Sequence, residues 1–215
     1  MSKLLVINSS PRGPKSESLA IAETFLASYR RAHPDGEIDR FDLFEAGLPV
    51  FDGDKTAAKM DVFAGAEPDA TAWGQVRAVF ERFDSADRYL FTVPMWNHGV
   101  TWPLKHYIDT ITQPGMAFGF DPEAGYTGLL ENKAAVAIYT GAVWGAGVPE
   151  PAFGRDFHST FFEDWLRFIG ITDVHSVRFQ RNLTGPAVDA DREAAHRRAA
   201  ELGTTVFDRA LASAA

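Results

Sequence analysis

The chain opens on an apolar run, KLLVIN at Lys3–Asn8, which passes through a polar loop, SSPRGPKSES, into a second run, LAIAETFLASY, that ends at Tyr29. A strand feeding a helix through such a loop aims the first-turn N–H groups at one spot, where an anion is favoured. Ser9, Ser10, Ser16 and Ser18 add hydroxyl donors around that spot, and Arg12 and Lys15 add positive charge. A phosphate group is the natural guest. Neither G-x-G-x-x-G nor a Walker motif is present. Serines in place of glycines therefore point to a compact mononucleotide phosphate rather than to NAD or ATP held in the usual way. The plainer reading is that Ser16 or Ser18 merely caps the helix.

Downstream, strand-like and helix-like runs alternate, the pattern of a parallel sheet with helices on both faces. Lys3–Asn8, Glu37–Leu43, Arg88–Val93, Ala134–Tyr139 and Asp173–Phe179 read as strands. Ser18–Ala32, Thr71–Phe83, Trp102–Ile111, Phe157–Gly170 and Ala190–Leu211 read as helices, the last with Ala195, Ala199, Leu202 and Val206 on one stripe. Thr101 is the expected cap of the helix that carries Pro103 in its first turn. The polar stretch Phe51–Asp69 is too long for an ordinary connection and predicts a lid or a contact arm, and Gln113–Leu130 reads as a second irregular stretch. The expected architecture is a flavodoxin-like doubly wound α/β fold over residues 1–215, a five-stranded parallel sheet in the order 2-1-3-4-5. In that order the loops after strands one, three and four meet at the switch point, where ligands bind.

Bulk properties narrow the function. With 46% apolar and 23% charged residues the composition is that of an ordinary soluble protein. No run approaches the roughly 18 apolar residues of a membrane helix, and no signal or transit peptide is recognisable. A net charge of −8 disfavours nucleic acid and anionic membranes as partners. The absence of cysteine excludes disulfides, zinc-thiolate sites and thiol catalysis and is compatible with a reducing cytoplasm. The six histidines are scattered without metal-ligand spacing, and no G-x-S-x-G elbow is present.

The loop after the third strand, Pro94-Met95-Trp96-Asn97-His98-Gly99, sets flat apolar faces beside an amide with both a donor and an acceptor. That combination suits the edge of an isoalloxazine ring, and FMN becomes the leading guest. Thr140–Gly145, with its small residues, is able to approach the same ring with its backbone. The alternatives are that Met95 and Trp96 are core residues under a loop and that Gly141 and Gly145 only relieve a tight turn.

Taken together these motifs resemble the FMN-dependent NADH-azoreductases, whose members also act as NAD(P)H:quinone oxidoreductases. The resemblance rests on S-P-R-G-x-x-S-x-S after the first strand, P-M-x-N after the third and F-I-G-I-T-D-V before the fifth. Leu48-Pro49-Val50, Pro103-Leu104-Lys105 with Ile108-Asp109, and Phe118-Gly119-Phe120 extend it along nearly the whole chain. It implies that Ser10, Ser16 and Ser18, with the backbone of Glu17, hold the FMN phosphate. Met95, Trp96, Asn97 and His98 then line the isoalloxazine, with Thr140, Gly141, Ala142 and Val143 along its other edge. It also implies a homodimer with active sites at the subunit interface, where Phe120, Tyr126 and Phe168 wall the substrate pocket from one chain or from its partner. NADH or NADPH is the implied donor, a quinone or azo compound the acceptor, and no side chain is an obligate catalyst.

Several positions depart from the family pattern. Glu17 stands where Gln is usual, Trp96 where Tyr is common and His98 where Phe is common. Tyr139-Thr140-Gly141-Ala142-Val143 replaces a Ser-Arg-Gly-Gly type of loop. A carboxylate beside a phosphate dianion is repulsive unless it points away. His98 is a candidate proton donor beside the ring, or else a polar residue on the pocket rim. The competing functions are a reductase of free flavin or another electrophile, an electron-carrier flavodoxin, and a flavin-free binding module.

Overall fold

A computed structural model describes residues 2–207. β1 (Lys3–Asn8) runs through a single 3-10 turn at Gly13–Lys15 into α1 (Glu17–Ala32), followed by β2 (Glu37–Asp42), α2 (Gly53–Phe63) and α3 (Ala70–Asp84). β3 (Arg88–Pro94) and α4 (Trp102–Ile111) come next, then a hairpin of β4 (Phe118–Asp121) and β5 (Gly125–Gly128). β6 (Ala134–Gly141), α5 (Ser159–Phe168), β7 (Asp173–Gln180) and α6 (Val188–Thr205) complete the order.

The main sheet has five parallel strands in the order β2-β1-β3-β6-β7, the doubly wound flavodoxin-like order. Its central strands β3 and β6 are buried along their whole length, as both-face coverage demands of a parallel sheet. α1 and α6 cover one face through Phe25, Leu26, Tyr29, Ala199 and Leu202 over Leu4, Val6, Val136 and Ile138. Helices α3, α4 and α5 cover the other, where Phe83, Tyr107, Phe162 and Trp165 pack over Leu5, Ile7, Phe91 and Tyr139. α1 and α6 approach so closely that a Cβ on Gly203 would lie 2.4 Å from the carbonyl oxygen of Phe25. The predicted stripe Ala195, Ala199, Leu202 and Val206 is the buried face of this contact; residues 208–211 of the expected closing helix lie outside the described residues.

Two stretches differ from the sequence expectation. Phe51–Asp69 is not a structureless arm: it contains α2, whose N-cap Asp52 accepts from the Lys55 N–H at 3.3 Å. Only Lys55 and Ala58 of that helix are buried, so little apolar periodicity betrayed it. Gln113–Leu130 contains the β4–β5 hairpin, with Asp121 Oδ1 accepting from the N–H groups of Glu123 and Ala124 at the turn.

Candidate active site at the carboxyl ends of three strands

The register places the ends of β1, β3 and β6 side by side: Asn8 pairs with Thr92, and Pro94 with Thr140. Beneath the loops a buried polar lattice fixes their start. Asn8 Oδ1 accepts from Thr92 Oγ1 at 3.0 Å and from the Ser10 N–H at 2.9 Å, while the Ser9 N–H donates to Thr92 Oγ1 at 3.0 Å. Asn8 Nδ2 donates to Asp42 Oδ2 at 2.6 Å, tying in the end of β2. Thr101 does not cap α4 with its side chain as expected; its hydroxyl donates to the Ser9 carbonyl at 3.0 Å. With every member bonded, this network sets the loop geometry firmly. No local sequence pattern announces these bonds, because the network joins Asn8 and Ser9 to Thr92 and Thr101 far along the chain.

At the head of α1, Ser16 and Ser18 are buried with their hydroxyl oxygens 3.1 Å apart. Ser16 Oγ accepts from the Leu19 N–H at 3.2 Å, so the plain capping role is present. The first-turn N–H groups of Glu17 and Ser18 stand ahead of the intrahelical ladder. Arg12 and Lys15 are exposed at the rim, and Ser10 is buried beside the lattice. Two hydroxyls, free-facing amides, the positive helix end and two cations form a donor set that fits a phosphate. The Glu17 carboxylate does not oppose this. It is turned onto Arg192 of α6, whose Nη2 and Nε donate to Oε1 and Oε2 at 3.2 and 3.4 Å.

The loop after β3 is a two-residue hairpin. Trp96 and Gly99 exchange backbone bonds at 2.9 and 3.0 Å, and the central residues Asn97 and His98 sit at φ 49° and 70°. Positive φ at both centres is the signature of a tight primed turn, and asparagine is among the residues that tolerate it best. The Met95 N–H donates to the Thr140 carbonyl at 2.7 Å, fastening this loop to β6. β6 runs two residues beyond the expected Tyr139, so Thr140 and Gly141 are strand and only Ala142 and Val143 are loop. Tyr139 belongs to the core, its ring edge-on to His158 at 5.0 Å. His98 stacks toward Gly154, where an added Cβ would lie 3.4 Å from Nε2, and its carbonyl accepts from the Phe157 N–H.

A cleft of about 1380 Å³ opens beside these loops, reached past Pro11, Trp96 and Asn97 and running between Trp102, His106, Trp165 and Phe168. Of the expected site residues, Trp96, Asn97 and Phe168 line it; the serines, Met95, His98 and Thr140–Val143 are not among its lining residues. Phe120 and Tyr126 do not line the cleft of their own chain. Their rings pack at 4.9 Å, and Tyr126 packs on Phe168 at 5.4 Å, extending an aromatic cluster outward from the cleft end. The cleft cations are engaged: Lys105 Nζ pairs with Asp109 at 2.6 Å, and Lys59 Nζ donates to the Thr112 carbonyl at 3.1 Å. Burial lowers the Lys59 pKa, an effect opposed by Asp109.

A loop triad of this kind on this sheet order has known counterparts. An FMN-dependent NADH:quinone oxidoreductase of Ruegeria pomeroyi is 50% identical over 186 residues, covering 85% of this chain and 91% of that one. The chain belongs to the FMN-dependent NADH:quinone oxidoreductase family. A second such relative, from Desulfotalea psychrophila, is 40% identical over 190 residues, 87% of this chain and 89% of its own. The wider family described as having a flavodoxin-like fold matches residues 2–202. Among solved structures, an azoreductase from Bacillus anthracis str. Sterne superposes with a TM-score of 0.84 at 23% identity, over 95% of this chain and 99% of that one. An FMN-dependent NADH-azoreductase from Bacillus anthracis str. Ames Ancestor, in complex with FMN, gives 0.79 at 21% identity, over 94% and 100%. At these identities the structures speak for the fold, and the two quinone oxidoreductases carry the family assignment.

Proposed function

We propose that this chain is an FMN-dependent oxidoreductase that takes electrons from NADH or NADPH and passes them to quinones and aromatic azo compounds. The observation that carries the reading is the convergence, at one sheet end, of an anion-suited helix start and two loops suited to a flat ring. Family membership supports the same cofactor. In this reading Ser10, Ser16 and Ser18 hold the phosphate with the Glu17 N–H. Met95, Trp96, Asn97 and His98 line the ring system on one side, and Thr140, Gly141, Ala142 and Val143 on the other. FMN, when bound, supplies the two-electron chemistry; the chain supplies binding, orientation and electrostatics.

The chain's own residues have simpler tasks. Asn97, held in a fixed hairpin, presents its amide without an ordering cost at the moment of binding. Trp96 and Phe168 offer flat apolar walls, which stack donors and acceptors alike and discriminate weakly among them. Donor and acceptor use the one cleft in turn, which gives ping-pong kinetics. No nucleophile is required.

Residues 1–215 form one FMN-binding domain in this reading, acting in the cytoplasm as a homodimer. Support for the dimer comes from large apolar side chains at the cleft mouth: Trp102 is 70% exposed and Phe44 40%. Such a patch signals a covering surface. A second copy completes the cleft, and the exposed Phe120 and Tyr126 are placed to meet it. Among the described residues no helix is long and apolar enough to cross a membrane.

The deciding experiment is an anaerobic NADH titration of the FMN-reconstituted protein, followed by the oxidised-flavin absorbance. Bleaching complete at one equivalent of NADH, and reversed by a quinone, is the expected result. Bound flavin that NADH cannot reduce would make the chain a carrier, and failure to bind flavin would end the enzyme reading.

A further inference from the structure

Glu17 is the one acidic residue in the first turn of α1, the turn whose amides and serines form the anion-suited donor set. Its carboxylate is gripped by Arg192 through two bonds, at 3.2 and 3.4 Å. Arg192 reaches it from the first turns of α6, where its Nη1 also donates to Asp189 at 2.7 Å and its guanidinium lies 5.2 Å from the centre of the Phe179 ring. Phe179 is buried in β7, so the guanidinium lies over a fixed platform. An ion pair about a third exposed contributes little to stability. Its consequence lies in the charge it cancels beside that donor set.

We infer that Arg192 is an electrostatic positioning residue for the FMN phosphate: by holding and neutralising the Glu17 carboxylate, it lets a first turn that carries an acid receive a dianion. The inference rests on the assignment of the phosphate to Ser16 and Ser18. An uncompensated carboxylate in the same helical turn repels a dianion across partly solvated space, while Arg192 in place leaves only a weak dipole. Sequence separation hides the arrangement, since the acid and its partner belong to the first and last helices of the chain.

The test is the affinity of the flavin-stripped full chain for FMN and for riboflavin, read by quenching of flavin fluorescence. Arg192→Met keeps an unbranched side chain at the position but removes the charge. FMN affinity should fall about tenfold, less at high salt, with riboflavin affinity unchanged. Adding Glu17→Gln to Arg192→Met should restore FMN affinity to within about twofold of the unsubstituted chain, because the repulsive charge is then gone. A merely structural role for Arg192 predicts no rescue and an equal loss of both flavins. Unchanged FMN affinity in Arg192→Met, an equal loss of riboflavin, or a double variant as weak as the single would each overturn the inference. A Ser16→Ala/Ser18→Ala chain measured alongside separates this from the underlying reading: undiminished FMN affinity there removes the phosphate assignment itself.

Discussion

His158 Nε2 lies 2.7 Å from the carbonyl oxygen of Val93, across a fully buried contact that pins the start of α5 to the end of β3. A carbonyl only accepts, so Nε2 is the donor of this bond. Nδ1 faces Asp156 Oδ1 at 3.7 Å. The hairpin of Trp96 and Gly99 begins just beyond Val93, so this histidine steadies the loop from below.

Replacing His158 with Leu leaves the Val93 carbonyl buried without its donor. The expected cost is about 2 kcal/mol, read as a lower urea midpoint at unchanged slope. A midpoint equal to that of the unsubstituted protein would show that the bond carries no net stability.

Asp156 sets the acid limit. Burial pushes its carboxyl pKa up, but hydrogen bonds from His158 and from the hydroxyl and N–H of Ser159 outweigh it and hold the group well below the usual range. A carboxylate whose pKa is lower folded than unfolded stabilises the protein above the unfolded value, near 3.9, and loses that contribution as pH falls toward the folded one. Thermal stability should therefore drop below about pH 4, and Asp156→Asn should be less stable at neutral pH with a shallower acid decline. Parallel melting curves from pH 7 down to 2 for both proteins decide it; equal acid slopes would remove Asp156 from the account.

The Ser16→Ala/Ser18→Ala chain should stay folded while losing FMN on desalting. Loss of the Ser16 cap costs about 1 kcal/mol, visible as a small fall in melting temperature. Circular dichroism reads the fold and the absorbance of the desalted protein reads flavin content.

Gly128 ends β5 where it crosses the turn after α5, and a Cβ there would lie 2.3 Å from the Gly170 nitrogen. Backbone cannot yield as a flexible side chain does. Gly128→Ala is expected to cost about 3 kcal/mol and to loosen the aromatic cluster of Phe118, Tyr126 and Phe168, seen in near-ultraviolet circular dichroism. A native spectrum and melting point would show that the turn accommodates the methyl group.

The apolar runs made the central strands legible, because burial on both faces leaves β1 reading Leu-Leu-Val-Ile, β3 Tyr-Leu-Phe-Thr-Val and β6 Ala-Ala-Val-Ala-Ile-Tyr. The serines of the first loop were legible as a group through their position between a strand and a helix. α2 was not, since its inward face is only Lys55 and Ala58. Nor were Arg192 and His158, or the bond from Thr101 to Ser9: each works through a partner far along the chain, and such a contact leaves no periodic trace. His98 was legible as an oddity, yet the structure turns it toward Gly154 rather than into the cleft.

The bond from the Met95 N–H to the Thr140 carbonyl gives the cleft unequal sides. The Trp96–Gly99 hairpin hangs from β3, is stitched to β6 and is braced by His158, so it forms a hard jaw. Opposite it stand Phe51 and Lys59, beside and on α2, a helix of which only Lys55 and Ala58 are buried. Thinly packed elements open at the least cost. The α2 side of the cleft is therefore the side that yields, while the hairpin side keeps its shape.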